Sequence, residues 1–162
     1  MPILCATRFN SDTFKEYEQW IYSENNINKL AAIYNTPVKI SEIIFENETL
    51  YILEMNNTRN TIEGIGIIKN KCIINRENKI YSDRNYNRYS YKGIYRIKRT
   101  DLKLEDEKIF KILDQLLFKG SRHFKRGHGI QQLPKWILNN TEFNFTEFCK
   151  TLFQSYFTNL KM

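Results

Sequence analysis

Cysteine is scarce in this chain: Cys5, Cys72 and Cys149 are the only three in 162 residues, and none stands in a C-x-x-C pair. That spacing excludes a disulfide framework and the usual zinc motifs, so the thiols are expected to be reduced and mostly buried in an intracellular compartment, cytoplasm or nucleus. Long apolar runs are absent too. No segment approaches the ~20 apolar residues of a membrane span, and MPILCATRFNSD holds too short an apolar stretch for a secretory leader. No membrane partner is expected, and N-x-T triplets such as Asn47 to Thr49 are not expected to carry glycans. The stretch GIGIIKNK lacks the third glycine of a dinucleotide loop, and no phosphate-loop lysine follows a glycine run. The patterns H-E-x-x-H, G-x-S-x-G and D-x-D-x-D-G are missing as well. The enzyme classes that announce themselves by motif are silent, and no cofactor or metal is implied.

What is present is the composition of a folded domain. Residues of the hydrophobic class make up 41% and aromatic residues 14%, spread along the whole length, which is too rich for a disordered chain. One domain over residues 1–162 is expected, with no repeat or linker. The formal charge is +7, so attraction to a polyanion is plausible through release of condensed counterions. Asn, Ile and Lys are abundant throughout, as an AT-rich genome imposes.

The spacing of Thr13 and Glu16 suggests a capping box, with Phe14, Tyr17 and Ile21 on one face of a helix over about residues 13 to 23, behind an opening strand ILCATRF. AAIY reads as a second strand ended by Pro37. LYILEM, TIEGIGII and KCII read as a strand meander separated by Asn-rich turns, and Gly64 and Gly66 predict a bulge, a sharp bend or close approach by another group. Gly93 to Lys98 predicts a further strand with Ile94 and Arg96 on one face and Tyr95 and Ile97 on the other. Residues 105 to 118 have helical spacing, buried through Ile109, Ile112, Leu113, Leu116 and Leu117, and Gly120 suits the left-handed position that ends such a helix. SRHFKRGHGIQQLPKW reads as a loop. Asn144 with Glu147 then opens an amphipathic helix running to Leu160. The expected fold is α+β: a small, mostly antiparallel barrel or strongly bent sheet with about three helices.

Two stretches are candidates for chemistry. In KGSRHFKRGHG, Lys119, Arg122, His123, Lys125, Arg126 and His128 crowd together among Gly120, Gly127 and Gly129, so that backbone amides can approach a phosphate that the cations neutralise. Both histidines of the protein lie here, which admits a metal-independent phosphodiesterase or ribonuclease reading, although the loop holds no carboxylate to partner them. The second stretch interleaves rings with cations: Tyr81, Arg84, Tyr86, Arg88, Tyr89, Tyr91, Lys92, Tyr95, Arg96, Lys98 and Arg99. Bases stack on such rings while phosphates pair with Lys and Arg. Tyrosines in a strand commonly pack on the core with only the hydroxyl wet, so part of this set is expected to be structural. Trp20 and Trp136, with Tyr86 and Tyr89, are the candidate stacking residues. Glu54 and Asn56 offer hydrogen bonds to a base edge or, equally, the cap of a strand end.

From YNTPVKISEIIFENETLYILEMNN into IEGIGIIKN, about residues 28 to 100, the chain resembles a PUA-like domain of the EVE, ASCH and YTH kind. LEMNN through IEGIGIIKN, with RYSYKGIYRI and KGSRHFKRGHGI, is also similar to uncharacterised proteins of large double-stranded DNA viruses, which would put it in the host cytoplasm. The resemblance implies binding of RNA or modified DNA bases, with the base inserted in a pocket of the barrel. The function expected is therefore non-enzymatic binding of RNA or other single-stranded or modified nucleic acid; the alternatives are the loop-histidine phosphodiesterase and a viral structural or interaction protein.

Overall fold

The computed structural model describes residues 2–74, 79–158 and 160. Strand β1 (Ile3–Phe9) alternates its side chains between two apolar environments: Leu4 and Ala6 join one core cluster, Cys5 and Phe9 the other. A strand that is apolar on both faces belongs in the middle of a sheet with cover on each side. The same holds for β3 (Thr49–Asn56), where Tyr51, Leu53 and Met55 face the first cluster and Leu50 and Ile52 the second. These two strands pair in parallel, Ile3 opposite Leu50 and Phe9 opposite Asn56. The remaining partners are antiparallel: β4 (Thr61–Lys69) on β3, β6 (Tyr95–Lys98) on β4, and the two-residue β7 (Gln131–Gln132) on β1, giving the order β6-β4-β3-β1-β7. A second, two-stranded antiparallel sheet joins β2 (Ala32–Thr36) to β5 (Tyr89–Gly93).

The sheet divides the protein into layers. Helices α2 (Leu104–Phe118) and α4 (Phe145–Tyr156), with the single turn α3 (Lys135–Leu138), cover one face through Phe110, Leu113, Leu117, Cys149, Leu152 and Phe153. Helix α1 (Ser11–Ile21) and the β2–β5 ribbon cover the other through Tyr17, Trp20, Ile33, Tyr34 and Tyr91. The architecture is thus α+β with a mixed five-stranded sheet and four α-helices among the described residues. No closed barrel forms; the bent sheet expected from the glycine-bearing strands stands, but the barrel does not. No helix among the described residues is long and apolar enough to cross a membrane.

Several local expectations shift. Helix α1 begins earlier than the Thr13–Glu16 spacing suggested, because the box forms between Asn10 and Thr13: Asn10 Oδ1 accepts from the Thr13 amide at 2.8 Å and Thr13 Oγ1 accepts from the Asn10 amide at 3.0 Å. KCII does not form a strand of its own; Ile73 makes one bridge, to Ser90. The run Gly93 to Lys98 is broken at Ile94 into the ends of two strands in different sheets. Ile112, expected in the core, is 49% exposed. Helix α4 does start from Asn144, whose side chain accepts from the Glu147 amide at 3.0 Å, but it ends at Tyr156.

Candidate functional site

Because β1 and β3 run parallel, their C-terminal ends lie side by side, and the Asn57 amide donates to the Phe9 carbonyl at 2.7 Å. The end of β2 and the first turn of α1 reach the same place. A cleft of about 280 Å³ opens there, lined by Thr7 to Asn10, Thr13, Asn35 to Pro37, Asn57, Tyr81, Tyr86 and Gly127 to Gly129. Antiparallel neighbours would have put these ends at opposite edges of the sheet.

Arg8 is the charged centre of this cleft. Its Nε donates to the Phe124 carbonyl at 3.0 Å and its Nη1 to the Gly129 carbonyl at 3.4 Å, while the guanidinium lies over the Phe124 ring, 4.2 Å from the centroid. Asn57 holds the same loop from the other strand, its Nδ2 donating to the Lys125 carbonyl at 2.9 Å. Of the two polar atoms of the Asn57 side-chain amide only the nitrogen can donate to a carbonyl, so this bond also sets which way the amide points. Arg8 Nη2 and Asn57 Oδ1 are both buried, and neither finds a partner among the described residues. An unmade hydrogen bond at a buried group costs about 1–3 kcal/mol, and both of these atoms belong to residues that line the cleft. No carboxylate pairs with Arg8 among the described residues, and burial pulls its guanidinium pKa down to about 10.

The glycine-rich loop is shaped by this contact. Gly127 has φ +112° and Gly129 φ +69°, backbone conformations that side chains resist. A Cβ on Gly129 would also stand 2.9 Å from Val38 Cγ2, and one on Gly127 only 2.5 Å from Gln131 Oε1. The loop therefore lies flush against the strand ends, with His128 exposed at the cleft.

The expected site residues do not come together in one place. Tyr86 and His128 line the cleft, while Arg84, Arg88 and Tyr89 line a second, open depression of about 980 Å³ on the far side of Tyr81. Lys119, Arg122 and Arg126 are exposed on the loop outside the cleft, and Lys125 is half-buried there. His123 is half-buried, its Nδ1 accepting from the Lys125 amide at 3.4 Å, and it does not line the cleft. Lys92 is half-buried in β5, opposite Ile33.

The rest need correction. Arg96 is not a surface cation: its side chain is 4% exposed and grips fully buried Glu54 with two bonds, Nε to Oε2 at 2.8 Å and Nη2 to Oε1 at 2.7 Å. Glu54 accepts a third bond, from the Tyr34 hydroxyl at 2.7 Å, so it is committed to the core rather than to a base edge. Burial alone would lower the Arg96 pKa, but the Glu54 charge and hydrogen bonds outweigh it and raise it. Burial, reinforced by Glu54, likewise holds the Tyr34 hydroxyl well above its ordinary value. Gly64 and Gly66 explain themselves here: a Cβ on Gly64 would sit 2.8 Å from Glu54 Oε1, and one on Gly66 would collide with the Tyr34 hydroxyl. The close approach those glycines allow is by these buried side chains. Asn56 accepts from the Thr58 and Arg59 amides at 3.1 and 3.3 Å, closing the turn after β3. Trp20 is 7% exposed in the α1 core and cannot stack on a ligand there. Trp136 is half-buried against the opposite core cluster, with the Arg122 guanidinium 4.6 Å from its ring centroid, and it lines neither the cleft nor the depression.

Arg8 and Asn57 were missed by sequence reasoning. The available signals were a lone arginine interrupting the apolar run ILCATRF and a second asparagine after Asn56 with no evident structural duty. Among the described residues no cluster of three or more His, Cys, Asp or Glu could hold a metal ion. No protein-family model, curated protein or solved structure matches this chain.

Proposed function

We propose that this protein binds RNA or another single-stranded or modified nucleic acid without catalysing a reaction on it, taking one base into the cleft at the ends of β1, β2 and β3. One observation carries the reading: Arg8 Nη2 and Asn57 Oδ1 stand unpaired at the wall of a small cleft that Tyr81 and Tyr86 also line. A phosphate dianion would satisfy the arginine but be repelled by the asparagine oxygen. A nucleobase edge carries an acceptor beside a donor and satisfies both, and the exposed Tyr86 ring, packed edge-to-face on buried Tyr81, offers it an apolar surface at the cleft. Among the described residues no acidic one lines the cleft, and exposed Arg122 and Arg126 lie on the loop that borders it, where phosphates outside the cleft would be neutralised. Both orphaned atoms lie buried behind the cleft wall, so this reading requires the Gly127–Gly129 segment to move aside when a base enters. The test is a binding series with single-stranded RNA, capped RNA, single-stranded DNA and methylated DNA at several salt concentrations. Affinity for at least one strand that falls steeply with salt, with no turnover of labelled RNA, is the expected result; affinity independent of salt would remove the reading.

A further inference from the structure

The short turn Arg84–Asn87 separates two depressions, and Tyr81 lines both. On one side is the cleft of Arg8 and Asn57, about 280 Å³; on the other is the open depression of about 980 Å³. Among the described residues, Lys79, Arg84 and Arg88 line the larger one and no carboxylate does. Asp83, the nearest acid in sequence, is occupied in capping the turn, its Oδ1 accepting from the Asn85 amide at 3.0 Å. Tyr89 forms part of the wall, its ring approached by the Arg88 guanidinium at 5.5 Å and by Lys39 Nζ at 5.6 Å from the centroid. A ring face already attended by two cations repels a third, so methylated ammonium groups and positively charged bases are poor guests. A neutral planar ring with an anion attached is a good one.

We propose that this depression is a second nucleotide subsite, with the 84–87 turn standing as a wedge between two neighbouring bases of one strand. One base occupies the cleft, its neighbour stacks at Tyr89, and the phosphate joining them passes the exposed Arg84. The inference rests on the reading that the protein binds single-stranded nucleic acid, and it adds that the smallest fully engaged ligand is a dinucleotide step whose bases are unstacked from each other.

The test uses the full chain and varies the ligand first, because Tyr89 also pairs with Thr36 in the β2–β5 ribbon and its loss can disturb the fold. Uridylate and adenylate mononucleotides, the matching dinucleotides, and dinucleotides with an abasic residue at either position compete against a labelled octanucleotide, in ribose and deoxyribose forms. The expected result is about a five- to hundredfold gain from mononucleotide to dinucleotide, lost again when either base is removed. Tyr89→Phe keeps the gain and Tyr89→Ala loses it; a full gain retained in the alanine variant overturns the subsite. If dinucleotides lacking one base bind as tightly as intact ones while the octanucleotide still binds in a salt-dependent way, the second subsite is wrong and the nucleic-acid reading survives. If neither the octanucleotide nor any shorter strand binds at low salt, the nucleic-acid reading itself falls and takes the subsite with it.

Discussion

Glu54 and Arg96 show how much a residue's role depends on what faces it. Both are charged and both are buried, and the pair holds together because each supplies what the other would otherwise lack. Removing one partner leaves an uncompensated charge in the core, so Arg96→Met is expected to cost about 3–5 kcal/mol of stability. Glu54→Gln should cost less than that in the Arg96→Met background, and chemical denaturation of the two single variants and the double variant measures the difference. Gly66→Ala belongs to the same network. The added methyl meets the Tyr34 hydroxyl and lies 3.1 Å from Ala32 Cβ, so overpacking of about 1–3 kcal/mol is expected, read as a lower denaturation midpoint. Cys5 and Cys149 are fully buried, and burial pushes the Cys5 thiol up to about 12. Alkylation of the native protein should therefore stop at half-buried Cys72, with the other two thiols reacting only on unfolding; modification of Cys5 at native-state rates would contradict the buried β1.

Elements were easiest to anticipate where one periodicity governs them. Helices α2 and α4 appear close to where their apolar spacing put them, because a stripe at helical intervals has one way to be buried. Helix α1 started elsewhere because Asn10, the residue directly after β1, forms the cap, with Thr13 as its partner at the third helical position. The loop around Gly120 to Gly129 was legible as basic and glycine-rich, but its attachment to β1 and β3 was not, since Arg8 and Phe124 are 116 residues apart. Replacing Arg122 and Arg126 together by alanine should leave the melting temperature nearly unchanged and flatten the slope of log affinity against log salt. The Trp136 prediction changes with the structure. Packed on the α2–α4 side and away from both depressions, Trp136→Ala is expected to lower stability by about 1–3 kcal/mol while the folded fraction keeps its affinity. Thermal unfolding measured beside binding separates this from a stacking role.

For the molecule as a whole, composition by itself determined that a chain of this aromatic and apolar content folds, that its net charge is +7, and that its few separated cysteines build no disulfide framework. Local pattern determined the helices of the α2–α4 layer and the strands with apolar residues on both faces. What only the tertiary structure decided is which groups meet. The parallel pairing of β1 with β3 brings Arg8 and Asn57 to one end of the sheet, and the ribbon β2–β5 brings Tyr34 onto Glu54 and Arg96. Pairing direction and register depend on contacts between residues tens of positions apart. No periodicity of a single strand encodes them, so a residue's neighbours, and with them its availability to a ligand, emerge only when the sheet is assembled.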